Sequence, residues 1–122
     1  MSEYVIWFDK LGMQDVDRVG GKNASLGEMI SNLAGAGVSV PNGFATTSLA
    51  YRDFIAQSGL ADMIRSELAA VDIEDVKALA RCGDKIRSAI VAAPFPEKLH
   101  VEVATAFAEL RGVNDAMAVA VR

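Results

Sequence analysis

The stretch Val19-Gly20-Gly21-Lys22-Asn23-Ala24-Ser25-Leu26-Gly27-Glu28-Met29 constrains the rest of the chain more than any other. Two adjacent glycines punctuate it. Leu26, Met29, Ile30 and Leu33 then recur at helical spacing and mark one apolar face. Ser25 and Glu28 have capping-box spacing, which predicts a helix starting near Ser25 and ending around Gly35-Ala36-Gly37. Lys22 then falls just before or inside the first turn, where the partial positive charge of a helix N-terminus disfavours a cation. Backbone N–H groups, glycines and an ammonium side by side suit an anion such as phosphate. The alternative is a surface lysine pointing into water. The stretch is not a Walker A loop, because Asn23 follows Lys22 and the glycine spacing differs.

Before this stretch, Tyr4-Val5-Ile6-Trp7-Phe8 reads as a strand ended by Asp9 and Lys10, and Leu11 to Val19 as a connection. After it, Val38-Ser39-Val40 reads as a brief extended piece and Pro41-Asn42-Gly43 as a tight turn. Phe44 to Thr47 is expected to form a short strand leading into a helix capped by Thr47 or Ser48. That helix carries Tyr51, Phe54 and Ile55 inward and ends at Gly59. The next stripe is Leu60, Met63, Ile64, Leu68 and Val71. Asp72 or Glu74 opens a further helix with Val76, Leu79, Ile86 and Ile90 inward, in which Gly83 costs roughly 1 kcal/mol relative to alanine. Pro94-Phe95-Pro96 ends it, and Pro96 suits the first turn of a helix lined by Leu99, Val103, Phe107 and Leu110. Gly112 to Asp115 reads as a turn into a final strand, Ala116 to Val121, that stops at Arg122. The expected class is a helix-rich α/β (α+β) fold with short scattered strands, organised as one compact unit over residues 1–122.

A chain of 122 residues, 52 % hydrophobic and 23 % charged, has the makings of a globular domain. Its net charge of −4 favours neither nucleic acid nor an anionic membrane surface. No apolar run is long enough to span a bilayer, and Met1-Ser2-Glu3-Tyr4 is unlike a signal peptide. Cys82 has no cysteine to pair with, which fits a reducing cytoplasm, and reads as a buried structural thiol. His100, the one histidine, reads as a solvated or half-buried helix residue. Asp72, Glu74 and Asp75 read as helix caps, so neither a metal site nor a nucleophilic triad is expected. The apolar run before Arg122 needs neighbours that a chain end does not supply, so the sequence reads as part of something longer. Arg122 either points into a cleft from a buried strand or lies exposed at the end of the run.

Taken in order, these pieces resemble a known family. Val5-Ile6-Trp7-Phe8, Asp15-Val16 and the glycine-lysine stretch are followed by Gly37-Val38 with Val40-Pro41. Then come Gly43-Phe44-Ala45-Thr46-Thr47 with Ala50-Tyr51-Arg52, Pro94-Phe95-Pro96, and Ala118-Val119-Ala120-Val121-Arg122. Together they resemble the start of the phosphoenolpyruvate synthases, over essentially the whole chain. Pyruvate phosphate dikinases and rifampicin phosphotransferases look similar here but less close.

The resemblance implies the N-terminal part of an ATP-grasp-like nucleotide-binding domain. In that family a mobile histidine domain takes a phosphoryl group from ATP and delivers it to pyruvate on a barrel domain. The overall reaction turns ATP, pyruvate and water into phosphoenolpyruvate, AMP and phosphate with Mg2+. By motif, Lys22 looks like the lysine that contacts the ATP phosphates. Arg122 looks like the arginine that opens the family's Arg-Ser-Ser-Ala-Thr segment and meets the same phosphates. The rest of that segment, the magnesium ligands, the phosphohistidine domain and the pyruvate barrel lie outside these residues, and His100 is not the phosphorylated histidine. The expectation is therefore that this chain alone catalyses nothing and binds ATP weakly or not at all. A homo-oligomer is left open, as are a related phosphotransferase and a non-catalytic stand-alone binding module.

Overall fold

The computed structural model describes residues 3–112 and 116–122. The chain divides into two compact units. One unit comprises Met1–Tyr51 with Glu97–Arg122, and the other Arg52–Pro96.

In the first unit, strands β1 (Val5–Trp7) and β2 (Phe44–Thr46) pair antiparallel, with Ile6 opposite Ala45 and Trp7 opposite Phe44. The Trp7 and Phe44 rings meet edge to face at 5.6 Å, a cross-strand aromatic pair that fixes the register. Between the strands the predicted connection is itself structured. It holds a 3-10 turn at Phe8–Lys10, another at Met13–Asp15, and the short helix α1 (Val16–Val19). Helix α2 (Gly21–Ala34) follows at once.

The start of α2 corrects the capping-box reading. The helix begins at Gly21, not near Ser25, because Gly20 takes a backbone conformation (φ 86°, ψ 163°) open essentially to glycine, and its carbonyl accepts the Ala24 N–H at 3.0 Å. Glu28 is engaged elsewhere, by the backbone N–H of Met13 at 3.1 Å. The buried face also differs from the expectation. Ala24 and Gly27 are the buried residues of α2, whereas Met29 is exposed and Leu26 half-buried. Small side chains bury here because α2 lies directly on the backbone at Leu11. The core of this unit is Ile6, Leu11, Val19, Ala24 and Ala45, with Phe8 packed against it.

Two further expectations fail in this unit. Pro41-Asn42-Gly43 forms no tight turn. Gly43 instead runs straight into β2, its carbonyl accepting the Phe8 N–H at 2.9 Å and its Cα facing the Phe8 ring. Residues 116–122 form no strand, because β1 and β2 are paired only with each other, and Val119 and Val121 are exposed. The turn expected to precede that strand falls largely on residues 113–115, outside the described set. Helix α3 (Ser48–Ala56) starts as expected at Thr47, whose Oγ1 accepts the Ala50 N–H at 3.2 Å. Helix α6 (Glu97–Arg111) packs on the β1 end. There Glu102 accepts the Tyr4 N–H at 3.1 Å and the Lys98 ammonium stands 4.3 Å from the Tyr4 ring centre. Leu99 and Ala106 are its buried residues and Phe107 is exposed.

In the second unit, α3 closes through a 3-10 turn at Gln57–Gly59, with Gly59 left-handed at φ 72°, into α4 (Leu60–Ala70) and then α5 (Val76–Ala92). Asp75 caps α5 by accepting the Ala78 N–H at 3.1 Å, and Gly83 does not interrupt that helix. Phe54 packs edge to face on Phe95 at 5.9 Å. Cys82 is buried, its thiol donating to the Glu67 carbonyl at 3.6 Å. Leu68, Val76 and Leu79 are exposed, against the expected inward stripes.

Candidate functional site

The unit built from Met1–Tyr51 and Glu97–Arg122 contains a cleft of ≈ 550 Å³ lined by Met13, Gly21, Lys22, Ser25, Leu26, Met29 and Arg122. Four of these come from one face of α2, because Lys22, Ser25, Leu26 and Met29 are spaced at i, i+3, i+4 and i+7. Gly21 and Lys22 lie in the first turn of that helix, where its own backbone leaves N–H groups without intrahelical partners. No side chain caps them, since Gly20 stands at the N-cap. Asn23 turns the other way and donates its amide to the Val19 carbonyl at 2.9 Å, closing the joint between α1 and α2.

Both candidate residues from the sequence, Lys22 and Arg122, line this cleft. Both are exposed, and neither side chain forms an ion pair or hydrogen bond with a described residue. The cleft thus gathers an ammonium, a guanidinium and the first-turn N–H groups of α2 beside Leu26 and the thioethers of Met13 and Met29, and the two charged side chains in its lining are both cations. The Glu28 carboxylate accepts the Met13 N–H and is not among the residues lining the cleft.

Residues 16–122 match the family of the pyruvate phosphate dikinase AMP/ATP-binding domain. The chain belongs to that family. Within it, the phosphoenolpyruvate synthase of Pseudomonas aeruginosa (strain UCBPP-PA14) is 62 % identical over 122 residues, which cover 100 % of this chain and 15 % of that protein. The phosphoenolpyruvate synthase of Neisseria meningitidis serogroup B is 58 % identical over 106 residues, or 87 % of this chain and 13 % of the relative. That of Escherichia coli K12 is 51 % identical over 121 residues, or 99 % of this chain and 15 % of the relative. The chain thus spans about 15 % of the length of these relatives and corresponds to their N-terminal part.

In this member of the pyruvate phosphate dikinase AMP/ATP-binding family, Met13, Ser25, Leu26 and Met29 are the cleft residues that sequence reasoning missed. Leu26 and Met29 show in the sequence only as part of one apolar helix face. Counting turns forward from Lys22 would have placed them, with Ser25, on the lysine's own face. Met13 carries no such signal, since only folding brings its turn to α2. His100 is exposed on α6 and far in role from any cleft-lining position. Among the described residues, no three Asp, Glu, His or Cys side chains group as metal ligands. No helix among the described residues is long and apolar enough to cross a membrane.

Proposed function

We propose that this chain is the N-terminal nucleotide-binding portion of a phosphoenolpyruvate synthase, with an ATP-grasp-like architecture completed by sequence beyond these residues. The whole enzyme converts ATP, pyruvate and water to phosphoenolpyruvate, AMP and phosphate through a phosphohistidine, in the cytoplasm. The observation that carries the reading is that Lys22 and Arg122, at opposite ends of the sequence, wall one cleft at the uncapped N-terminus of α2. Lys22 holds phosphate oxygens as a point charge, and Arg122 grips them through its planar fork. Both spread the charge that shifts when a phosphoryl group leaves the nucleotide. Pyruvate and the phosphohistidine are handled elsewhere in the enzyme, so this chain alone is inactive.

The charges of Lys22 and Arg122 suit the phosphates of a nucleotide. Mg2+ belongs to the whole reaction, where it would neutralise phosphate charge, but the described residues supply no ligand set for it. The experiment reads the encoding frame past codon 122, expresses its whole product, and measures ATP binding with Lys22→Ala and Arg122→Ala. Each substitution should weaken ATP by at least about tenfold, the loss expected for a charged hydrogen bond, without lowering the melting temperature. Wild-type ATP affinity in both variants would refute the assignment. A stop after Arg122 would refute the synthase and leave a stand-alone binding module.

A further inference from the structure

Glu28 belongs to the glycine-lysine stretch, yet the nucleotide reading gives it no task. Its surroundings do. The turn Gly12–Asp15 closes on itself: Gly12 N–H donates to Asp15 Oδ2 at 3.0 Å, and Asp15 N–H donates to the Gly12 carbonyl at 3.0 Å. Neither bond reaches α2. Glu28 makes that link, with Oε2 accepting the Met13 N–H at 3.1 Å. The approach is tight, since a Cβ at Gly12 would stand 2.9 Å from the same oxygen. One turn back along α2, Ser25 Oγ donates to Met13 Sδ at 3.7 Å. Met13 is thus fastened to α2 through its backbone by Glu28 and through its side chain by Ser25, and Met13 and Ser25 both line the cleft that holds Lys22.

We infer that Glu28 is a positioning residue for the phosphate-binding cleft: its hydrogen bond to Met13 N–H fixes the wall that faces Lys22. The inference rests on the phosphate reading of that cleft. Two effects of Glu28 have opposite signs and can be separated. A carboxylate near an anion site weakens anion binding through its charge. A carboxylate that holds the wall in place strengthens binding by keeping the site preorganised. Glutamine removes the charge but keeps a carbonyl that accepts the same N–H, whereas alanine removes both.

The test is calorimetric binding of ATP and of inorganic tripolyphosphate to the protein expressed from its whole reading frame, with Lys22→Ala as the control. Glu28→Ala should weaken both ligands by roughly three- to tenfold, the range of one modest hydrogen bond. Glu28→Gln should bind at least as tightly as wild type. A folding role alone would lower the melting temperature of Glu28→Ala and leave its affinity unchanged, which overturns the inference. So would tighter binding in both variants, because charge alone would then explain Glu28, and so would equal weakening in both. If Lys22→Ala binds like wild type, the phosphate reading fails and takes this inference with it. If Lys22→Ala weakens binding and Glu28→Ala does not, only the role of Glu28 falls.

Discussion

Gly27 of α2 lies so close to Leu11 that a Cβ built on it would stand 2.5 Å from both the Cβ and the carbonyl oxygen of Leu11. The helix bearing Lys22 is therefore seated on the backbone that leads into the Met13 turn. One glycine lets the helix approach that backbone so closely. Helix propensity argues the other way, since alanine is the better helix former by about 1 kcal/mol.

Gly27→Ala should accordingly destabilise the protein by about 1–3 kcal/mol, the usual cost of overpacking, because the Leu11 carbonyl belongs to the backbone and cannot rotate aside. Thermal unfolding followed by circular dichroism measures it. A melting temperature at or above wild type would mean that α2 can lift off the Leu11 segment at no cost.

Gly20→Ala tests a different cause at the same helix. A Cβ there meets nothing within 4 Å, so no neighbour resists it. The backbone does, at φ 86° and ψ 163°. The expected loss is about 1–3 kcal/mol from conformational strain alone, and denaturant titration with an unchanged slope would report it. An unaffected midpoint would place the true start of α2 elsewhere.

Thr47 both caps α3 and ties it to the chain start, since Oγ1 accepts the Ala50 N–H at 3.2 Å and donates to the Glu3 carbonyl at 2.8 Å. Thr47→Ala should cost about 1–2 kcal/mol. Thr47→Ser keeps the hydroxyl and should stay within about 0.5 kcal/mol of wild type. Equal losses in the two variants would assign the effect to the methyl group instead of the hydrogen bonds.

Lys85 gives a pH dependence. Its hydrogen bond and ion pair with Glu67, at 2.5 Å, raise its pKa above the ordinary 10.5. A raised lysine pKa contributes stability that is complete below the unfolded value and is lost as pH rises through the folded one. The stability difference between wild type and Lys85→Met should therefore be constant near neutrality and shrink above pH 10.5. A difference that persists unchanged at high pH would come from packing of the lysine stem, not from the pair.

Much of this architecture follows from local chemistry that a sequence displays. Asp75 and Thr47 cap helices where short polar side chains precede a periodic apolar run. Pro94 and Pro96 separate α5 from α6 because proline has no N–H to continue the ladder. The edges of β1 and β2 come from clustered β-branched and aromatic residues. The faces of the helices were less legible. Periodicity says that Leu26 and Met29 share a side of α2, but not whether that side meets core or cleft. Tyr51, Leu68, Val76, Leu79 and Phe107 sit at inward-looking spacing and are exposed, since the stripe depends on what stands opposite.

The amino-acid order by itself determined the helix-rich class, the glycine break before Lys22, the Thr47 cap, and the family resemblance that singles out Lys22 and Arg122. These rest on contacts within a few residues or on motif. Only the tertiary structure decided that α2 starts at Gly21, that Ala24 and Gly27 bury in place of the larger residues, and that Glu28 serves Met13 and not its own helix end. It alone brought Met13 and Arg122 to the face that carries Lys22. Each of those outcomes turns on a partner distant in sequence, and local spacing carries no record of which distant backbone will approach.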